Sequence, residues 1–282
     1  MSESIPQRFS DLASLRRSVA GWRRAGERVI LVPTMGALHE GHLALVAEGR
    51  RIGRRVVASI FVNPTQFGPN EDFARYPRDL EADLALLGRA GADAAWTPAV
   101  ETMYPPGFST RIDVAGLTEG LCGPFRPGHF SGVATVVTKL LNQVGPDVAL
   151  FGEKDFQQLR VIQQAVADLD LPVEIQGVPT VREADGLALS SRNRYLSPEE
   201  RAVAPRLHAV LAEIAATARS GIPVAAAIAQ GRAALEAAGF QVQYLAVCDA
   251  RTLAPVERVD RPARVLVAAF LGRTRLIDNV AV

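Results

Sequence analysis

The chain has 282 residues, of which 48% are hydrophobic and 22% charged, proportions typical of a folded protein with a sizeable core. A formal net charge of +1 argues against a general affinity for polyanions, so we expect no nucleic-acid partner and place any anion binding at a local site. Cys122 and Cys248 are too few for a disulfide framework. The sequence shows neither a membrane span nor a signal peptide, and we expect a cytoplasmic location.

In the first part of the chain, short apolar runs alternate with segments of helical periodicity. The pattern predicts strands over residues 29–32, 55–62, 94–96, 147–151 and 173–178, and helices over residues 42–53, 78–89, 131–144 and 156–168. Strands that are apolar on both faces and alternate with helices indicate a parallel sheet covered on both sides. We therefore predict an α/β fold with a Rossmann-like doubly wound sheet, in which ligands bind at the carboxyl ends of the strands.

The composition changes after about Thr180. Residues 199–238 predict two Ala-rich helices interrupted at 221–223, and three strand-like runs follow at 240–247, 263–271 and 274–282. Long helices followed by consecutive strands are typical of a small α+β domain. The sequence thus predicts a first domain over residues 1–180, which would bind the substrates, and a C-terminal α+β domain over residues 181–282.

The stretch PTMGALHEGH, residues 33–42, directly follows the first predicted strand and contains two histidines. A metal site is one interpretation, but the helical zinc motif HExxH separates its histidines by four residues. His39 and His42 are three apart, Gly41 lies between Glu40 and His42, and the other two histidines stand alone in the sequence. A second interpretation is that one histidine simply caps the following helix.

A third interpretation is an anion site. A strand, a Gly-containing loop and a helix start together offer free backbone N–H groups and the positive end of a helix dipole, which suit a phosphate. Histidine adds N–H donors to that arrangement. Glu40 is expected to be solvated, because the phosphates would repel it. The pattern favours the anion over the metal.

PTMGALHEGH resembles the HxGH signature of the nucleotidylyltransferase superfamily. Four further blocks narrow the resemblance: FVNPTQF (61–67), YPRDLEAD (76–83), FGEKDFQQL (151–159) and VPTVREADGLALSSRNRYL (178–196). In this order they are similar to the pantothenate synthetase family, the ATP-dependent pantoate–β-alanine ligases. The sequence DNVAV near the C-terminus also fits.

The resemblance implies a two-step reaction. Pantoate carboxylate attacks the α-phosphorus of ATP to give a pantoyl adenylate and pyrophosphate, and the amine of β-alanine then attacks the acyl carbon to give pantothenate and AMP. Mg²⁺ is expected to accompany ATP, held mainly by phosphates and water. The resemblance also implies a homodimer.

By this resemblance, the adenylation chemistry is assigned to His42, His39, Lys154, Ser190, Ser191 and Arg192. His42 is the better candidate for the proton donor, and Lys154 is expected to contact an ATP phosphate. The segment from Ser190 to Arg192 looks like the counterpart of a KMSKS-type loop that would hold the leaving pyrophosphate. An ordinary Ser/Asn turn after a strand is the alternative for that segment.

The expected ATP contacts are Met35, Gly36, Ala37, Leu38, His39, Glu40, Gly41, His42, Gly152, Glu153, Lys154, Asp155, Val181, Leu189, Ser190, Ser191 and Arg192. Leu189 stands where the family commonly has Met, a nearly volume-conserving change that should leave an apolar contact in place.

The pantoate contacts implied by the resemblance are Gln66 and Gln158, whose amides both donate and accept hydrogen bonds. Pro33 and Met35, with Phe67, would supply an apolar wall, although core packing would explain them nearly as well. Asp83 is expected to be solvated on an amphipathic helix, and a role as a Mg²⁺ ligand is left open.

Two other functions remain alternatives at this point. One is a plain nucleotidylyltransferase that joins a nucleotide to a phosphate ester and stops; the other is a binding protein that keeps the nucleotide site without turnover. The C-terminal domain carries no chemical motif of its own, and we predict that it closes over the ATP site as a lid, hinged near residues 180–186.

Overall fold

The computed structural model of the chain describes residues 5–69, 71 and 73–282. The strands are β1 (Gln7–Phe9), β2 (Val29–Thr34), β3 (Arg55–Ile60), β4 (Ala94–Trp96), β5 (Val148–Gly152), β6 (Glu174–Val178), β7 (Phe240–Asp249), β8 (Ala263–Leu271) and β9 (Thr274–Ala281). The α-helices are α1 (Leu12–Arg24), α2 (Glu40–Ile52), α3 (Leu80–Ala90), α4 (Val100–Met103), α5 (His129–Val144), α6 (Phe156–Asp168), α7 (Pro198–Val203), α8 (Arg206–Arg219) and α9 (Val224–Ala237).

The first sheet has six strands in the order β1-β4-β3-β2-β5-β6, and every pairing in it is parallel. This confirms the predicted Rossmann-like doubly wound sheet. From β2 the chain continues outward through β3 and β4 on one side, and β5 and β6 lie on the other. The order therefore reverses between β2 and β5, and a ligand crevice is expected at the carboxyl ends of these two strands, at Thr34 and Gly152.

The central strands are apolar on both faces because helices cover both sides of the sheet. One cluster joins residues of β2, β3 and β5 to Leu45 and Val46 of α2 and to Leu87 of α3. Each buried aliphatic side chain of this size stabilises the folded state by roughly 1.5–3 kcal/mol relative to the same side chain exposed to water. This core fixes the start of α2, and with it the two histidines, against the end of β2.

The second sheet is antiparallel, in the order β7-β8-β9, and α8 and α9 contribute side chains to its core. The smaller α+β arrangement is confirmed. The two predicted Ala-rich helices are three, however, because Pro205 lies between the end of α7 at Val203 and the start of α8 at Arg206. Proline has no N–H to continue a helical ladder, so the chain restarts there.

The structure separates into two compact units. The first comprises the residues up to Ala115, Arg126–Glu153 and Val161–Pro179, and the second Gly116–Phe125, Lys154–Arg160 and Thr180–Val282. Residues 116–125 and 154–160, which the predicted first domain includes, thus pack with the second unit. The roles assigned to the two domains stay predictions.

Two elements near the N-terminus were not predicted from the sequence. Strand β1 extends the parallel sheet beyond β4, and helix α1 follows it with Asp11 as its N-cap, whose carboxylate accepts the Ser14 N–H at 2.9 Å. Among the described residues, no helix is long and apolar enough to cross a membrane.

Candidate active site

The loop between β2 and α2 carries the PTMGALH residues and adopts an unusual backbone. Gly36 and the following Ala37 both have positive φ, 78° and 51°. A side chain at position 36 would also collide with a carboxylate, since its Cβ would lie 2.7 Å from Oδ2 of Asp83. Glycine at that position therefore allows both the turn and the close approach of the acid.

Asp83 holds this loop from helix α3. Its Oδ2 accepts the N–H of Ala37 at 3.0 Å and its Oδ1 accepts the N–H of Leu38 at 2.8 Å. The side chain is only 3% exposed, so the expectation that it is solvated is wrong. Burial raises the pKa of the Asp83 carboxyl above its ordinary value, although the two main-chain hydrogen bonds act in the opposite direction.

Several main-chain N–H groups of the loop donate hydrogen bonds within the protein. Gly36 donates to Oγ1 of Thr34 at 3.2 Å, and Asp83 takes the next two N–H groups along the chain. The N–H of His42 donates to the carbonyl oxygen of His39 at 2.7 Å. The expectation that free backbone N–H groups would cradle a phosphate here is therefore wrong for these residues, and the prediction of an anion site at this loop rests on its side chains.

The two histidines cap helix α2, which begins two residues earlier than predicted. Nδ1 of His39 accepts the N–H of Gly41 at 3.1 Å, and Nδ1 of His42 accepts the N–H of His39 at 3.3 Å. Their ring centroids are 4.1 Å apart. A ring whose Nδ1 accepts a hydrogen bond carries its proton on Nε2 when neutral, so both rings present Nε2–H as a donor. The capping role and a phosphate-binding role are therefore compatible.

A resident metal ion is not supported at this loop. Both carboxylate oxygens of Asp83 accept main-chain N–H groups, which leaves this residue poorly suited as a Mg²⁺ ligand. Within residues 5–69, 71 and 73–282, no three His, Cys, Asp or Glu side chains cluster as a metal site would require. The metal role left open for Asp83 is not carried further.

Gln66 and Met35, two of the residues expected to bind pantoate, lie together in the first unit. Nε2 of Gln66 is 3.0 Å from the sulfur of Met35, and Oε1 of Gln66 accepts Nδ2 of Asn63 at 3.1 Å. Asn63, which is 1% exposed, also accepts the Tyr104 hydroxyl at 2.8 Å through its Oδ1. Sequence reasoning missed Asn63 although it lies within the FVNPTQF block.

Helix α5 packs closely against the turn that carries Gln66. A side chain at Gly132 would place its Cβ 2.4 Å from the carbonyl oxygen of Thr65, so only glycine permits this approach. Nδ2 of Asn63 donates to the Gly132 carbonyl at 3.2 Å, and the ring of Phe67 contacts those of Phe73 and Tyr76. The Gln66 amide is thus held by a packed support.

The lysine of the FGEKD block belongs to the second unit, whereas Gly152 and Glu153 belong to the first. Burial lowers the pKa of Lys154 below its ordinary value; the charge of Asp155 opposes this, and the positive charges of Arg192 and Arg275 reinforce it. Lys154 and Arg192 therefore lie within electrostatic reach of one another. Two like charges held this close would be stabilised by a bound polyanion.

The segment from Ser190 follows a small hairpin of the second unit. The N–H of Leu189 donates to the carbonyl of Val181 at 3.0 Å, and Arg182 pairs with Ala188 across the hairpin. Oγ of Ser190 accepts the N–H of Arg192 at 3.2 Å and so caps the 3₁₀ turn Ser191–Tyr195. The segment therefore forms the Ser turn that the sequence offered as the alternative to a pyrophosphate-binding loop. The Ser190 hydroxyl uses its oxygen as an acceptor in this cap, and its O–H can act as a donor at the same time.

Within the first unit, the structure brings the histidine pair and its loop to the end of β2, and Met35 beside Gln66. Within the second unit, it places Lys154 in electrostatic reach of Asp155 and Arg192, with Gln158 as the third residue of α6. Pro33 lies in β2 opposite Ser59 of β3, and Glu40 is exposed, as expected. The assignment of these residues to ligands stays a prediction.

Comparison with known proteins covers nearly the whole chain. A family model described as pantoate-beta-alanine ligase matches residues 7–281. A pantothenate synthetase of Acidiphilium cryptum is 60% identical over 278 residues, 99% of each chain. The crystal structure of pantothenate synthetase from Thermus thermophilus superposes with a TM-score of 0.92 at 52% identity, over 97% of this chain and 98% of that one. A pantoate-beta-alanine ligase from Francisella tularensis, complexed with beta-gamma ATP and beta-alanine, matches with a TM-score of 0.81 at 31% identity, over 98% and 97% of the two chains.

Proposed function

The chain belongs to the pantoate–β-alanine ligase family, and we propose that it joins its substrates through a pantoyl adenylate. It is an enzyme that ligates pantoate and β-alanine to give pantothenate. The complex of the Francisella tularensis relative with beta-gamma ATP and beta-alanine supports both as ligands of this chain. The observation that carries the proposed route is the histidine pair at the start of α2, with both Nδ1 atoms engaged as acceptors.

Activation is needed because a carboxylate is a poor acyl donor. Direct attack by an amine would have to expel oxide, whereas attack on an acyl adenylate expels AMP. In the first step, a carboxylate oxygen of pantoate bonds to the α-phosphorus of ATP, and the bond from that phosphorus to the pyrophosphate oxygen breaks. Negative charge grows on the phosphoryl oxygens and on the leaving pyrophosphate.

His39 and His42 meet this charge with Nε2–H donors. Because their Nδ1 atoms are held by main-chain N–H groups, the rings need no reorientation as charge develops. Donors fixed in advance at the site of developing charge commonly lower a barrier by about 3–4 kcal/mol each. The positive end of the α2 dipole adds to the stabilisation.

Lys154 and Arg192 are proposed to hold the leaving pyrophosphate, with Ser190 and Ser191 as hydroxyl donors. The mutual repulsion of the two cations is relieved when a polyanion binds between or beside them. Arginine suits the pyrophosphate because its planar fork can donate two parallel hydrogen bonds to one phosphate. Gly152, Glu153, Asp155, Val181 and Leu189 complete the proposed nucleotide contacts.

In the second step, the neutral amine of β-alanine attacks the acyl carbon of the adenylate. The C–O bond to AMP breaks, AMP leaves with the electron pair, and the amide nitrogen loses a proton. We propose that Gln66 and Gln158 read the hydroxyls and carboxylate of pantoate, with Pro33 and Met35 against its methyl groups. An amide recognises hydroxyls without placing another charge beside the phosphates.

Three further features of the proposal derive from family similarity. Mg²⁺ is expected to arrive with ATP, coordinated by phosphates and water. A homodimer is expected, which light scattering of the purified protein would measure, and the cytoplasm is the expected location. The lid hypothesis is also retained, and solution scattering with and without ATP tests it: an unchanged profile would contradict it.

The direct test of the proposed function incubates the protein with ATP, Mg²⁺ and pantoate, with and without β-alanine. We expect stoichiometric pyrophosphate and enzyme-bound adenylate without β-alanine, and multiple turnovers to AMP and pantothenate with it. ADP in place of AMP would contradict the adenylate route. Nucleotide transfer to a phosphate ester without pantothenate would instead favour a plain nucleotidylyltransferase, and binding of ATP without turnover a non-catalytic protein.

A further inference from the structure

The proposed chemistry does not account for the sequence DNVAV, whose first four residues lie in β9, the last strand of the second unit. Asp278 and Asn279 are adjacent there, and they are only 4% and 3% exposed. Polar side chains that are this deeply buried require partners. The partners in this case lie in two segments that carry proposed nucleotide contacts.

Asn279 binds the lysine segment. Its Nδ2 donates to the main-chain carbonyl of Lys154 at 3.0 Å, and its Oδ1 accepts Nη1 of Arg264 at 2.6 Å. The Arg264 guanidinium in turn lies 3.9 Å from the ring centroid of Phe156, two residues after the lysine. Segment 154–156 is thus fixed at two points by side chains of β8 and β9.

Asp278 binds the hairpin that leads to Ser190. Its two carboxylate oxygens accept both terminal nitrogens of Arg182, at 2.6 and 2.8 Å. Arg182 also donates to the carbonyl of Gly186, at the tip of the hairpin, at 3.1 Å. A bidentate pair fixes the orientation of the guanidinium as well as its distance, so the hairpin is anchored to the same strand.

Successive residues of a strand project to opposite faces, which explains how neighbours in sequence reach two different segments. β9 is itself held by β8, with which it pairs along Thr274–Ala281. We propose that Asp278 and Asn279 are positioning residues, which set the placement of Lys154 relative to the Ser190–Arg192 segment. This inference rests on the proposed function, because β9 would act only through Lys154 and the Ser190–Arg192 segment and not through chemistry of its own.

Loss of a positioning residue should have a measurable effect on rate, because a misplacement of about 1 Å at a reacting group costs roughly 100-fold in rate. Asn279→Asp is the sharpest variant. It keeps the shape and the Arg264 contact, but replaces the donor to the Lys154 carbonyl with a carboxylate oxygen that repels it. Asn142→Asp is the matched control, since Asn142 is exposed on α5 and the chemical change is the same.

The variant is assayed by the single-turnover rate of adenylation and by the KM for each substrate. We expect Asn279→Asp to lower that rate by about 10- to 100-fold with the KM for pantoate near its normal value. Asn142→Asp should behave as the unaltered protein. An equal loss in both variants would mean that added charge, rather than position, is responsible, and would overturn the inference.

A double-mutant cycle separates positioning from simple support of the fold. If Asn279 acts through the lysine, adding Asn279→Asp to Lys154→Ala should change the residual rate by less than about 2-fold, because residues that act as a unit are non-additive. A second cycle, of Arg182→Lys with Arg192→Ala, tests the hairpin in the same way. The Arg182→Lys substitution keeps the charge on residue 182 but removes the bidentate geometry.

The outcomes distinguish this inference from the proposed function. If the unaltered protein forms no adenylate, the proposed function fails. If it forms adenylate and Asn279→Asp does so at the same rate, only the positioning role fails. Full additivity in both cycles would likewise overturn it, and near-ultraviolet circular dichroism of each variant establishes that the comparison is made between folded proteins.

Discussion

Nδ1 of His42 accepts the main-chain N–H of His39 at 3.3 Å, so the two histidines of the HxGH sequence are coupled through the helix cap. Nδ1 of each ring holds the backbone, and the proposed function assigns Nε2–H of each ring to the phosphates. The capping role and the proposed catalytic role therefore use different nitrogens of the same ring.

This coupling predicts different outcomes for two changes at position 42. Gln at the third position of a helix can accept the N–H of the capping residue, as in a capping box, and its amide still offers a donor. His42→Ala loses both, and we expect its adenylation rate to fall by at least about 10²–10³-fold. His42→Gln should lose less rate and should melt at a higher temperature than the Ala variant. Equal rates in the two variants would remove the donor from the mechanism.

Asp83 is predicted to act on the loop that holds the histidines. In Asp83→Asn, the side chain has one oxygen in place of two, so it can accept the N–H of only one of Ala37 and Leu38. Its NH₂ group then faces the N–H of the other residue, which is left without an acceptor. An unsatisfied buried donor costs about 1–3 kcal/mol, so we expect a loss of this size in the free energy of unfolding, with slower adenylation. Glu81→Gln, exposed on the same helix, is the control for loss of one charge. An unaltered rate in Asp83→Asn would show that the loop does not depend on this carboxylate.

We predict that Lys154 takes up a proton when ATP binds. Burial lowers its pKa in the free protein, and the phosphates favour its charged form and so raise it again. Uptake should therefore occur at a pH that lies between the lowered pKa of the free protein and the raised pKa of the ATP complex. Calorimetry in buffers of different ionisation enthalpy measures it. Lys154→Arg, which stays charged at this pH, should abolish the uptake; equal uptake would assign it to another group.

We predict that the Arg182–Asp278 ion pair stabilises the second unit at neutral pH and that this contribution is lost in acid. Burial would raise the pKa of Asp278, but the nearby His208, whose Nδ1 lies 3.5 Å from Oδ2, and the hydrogen bonds and charge of Arg182 hold it below its ordinary value. A lowered folded pKa contributes stability above the ordinary value of 3.8, and the contribution is lost as the pH falls through the folded pKa. At neutral pH, Asp278→Asn should destabilise the second unit by about 3–5 kcal/mol. Hydrogen exchange of β9 measures the difference, which should shrink below pH 3.8; a constant difference would contradict the assignment.

Much of the architecture could be predicted because it depends on local patterns. Apolar runs and helical periodicity identify the central strands and helices, since burial on a face repeats along the chain. Helix α6 was predicted with its observed bounds, Phe156–Asp168. Strand β1 consists of two exposed polar residues and one buried phenylalanine, so it shows no apolar run, and Pro205 divides a helix whose composition otherwise looks continuous.

The support of the candidate site could not be predicted for a different reason. Asp83 lies 46 residues from Ala37, and Asn279 lies 125 residues from Lys154, so nothing in the sequence near either residue shows its partner. An acid on an amphipathic helix is ordinarily solvated, which is why Asp83 was misassigned. The motifs identify groups that would touch ligands, whereas the residues that hold those groups emerge only from the fold.

The most direct measurement of the central claim follows an oxygen atom. Pantoate labelled with ¹⁸O in its carboxylate is incubated with ATP, Mg²⁺ and β-alanine, and AMP is analysed by mass spectrometry. Attack of the carboxylate on the α-phosphorus predicts that each AMP carries one ¹⁸O, and that pantothenate retains the other in its amide carbonyl. Pantothenate formed together with unlabelled AMP would contradict the adenylate and the account built on it.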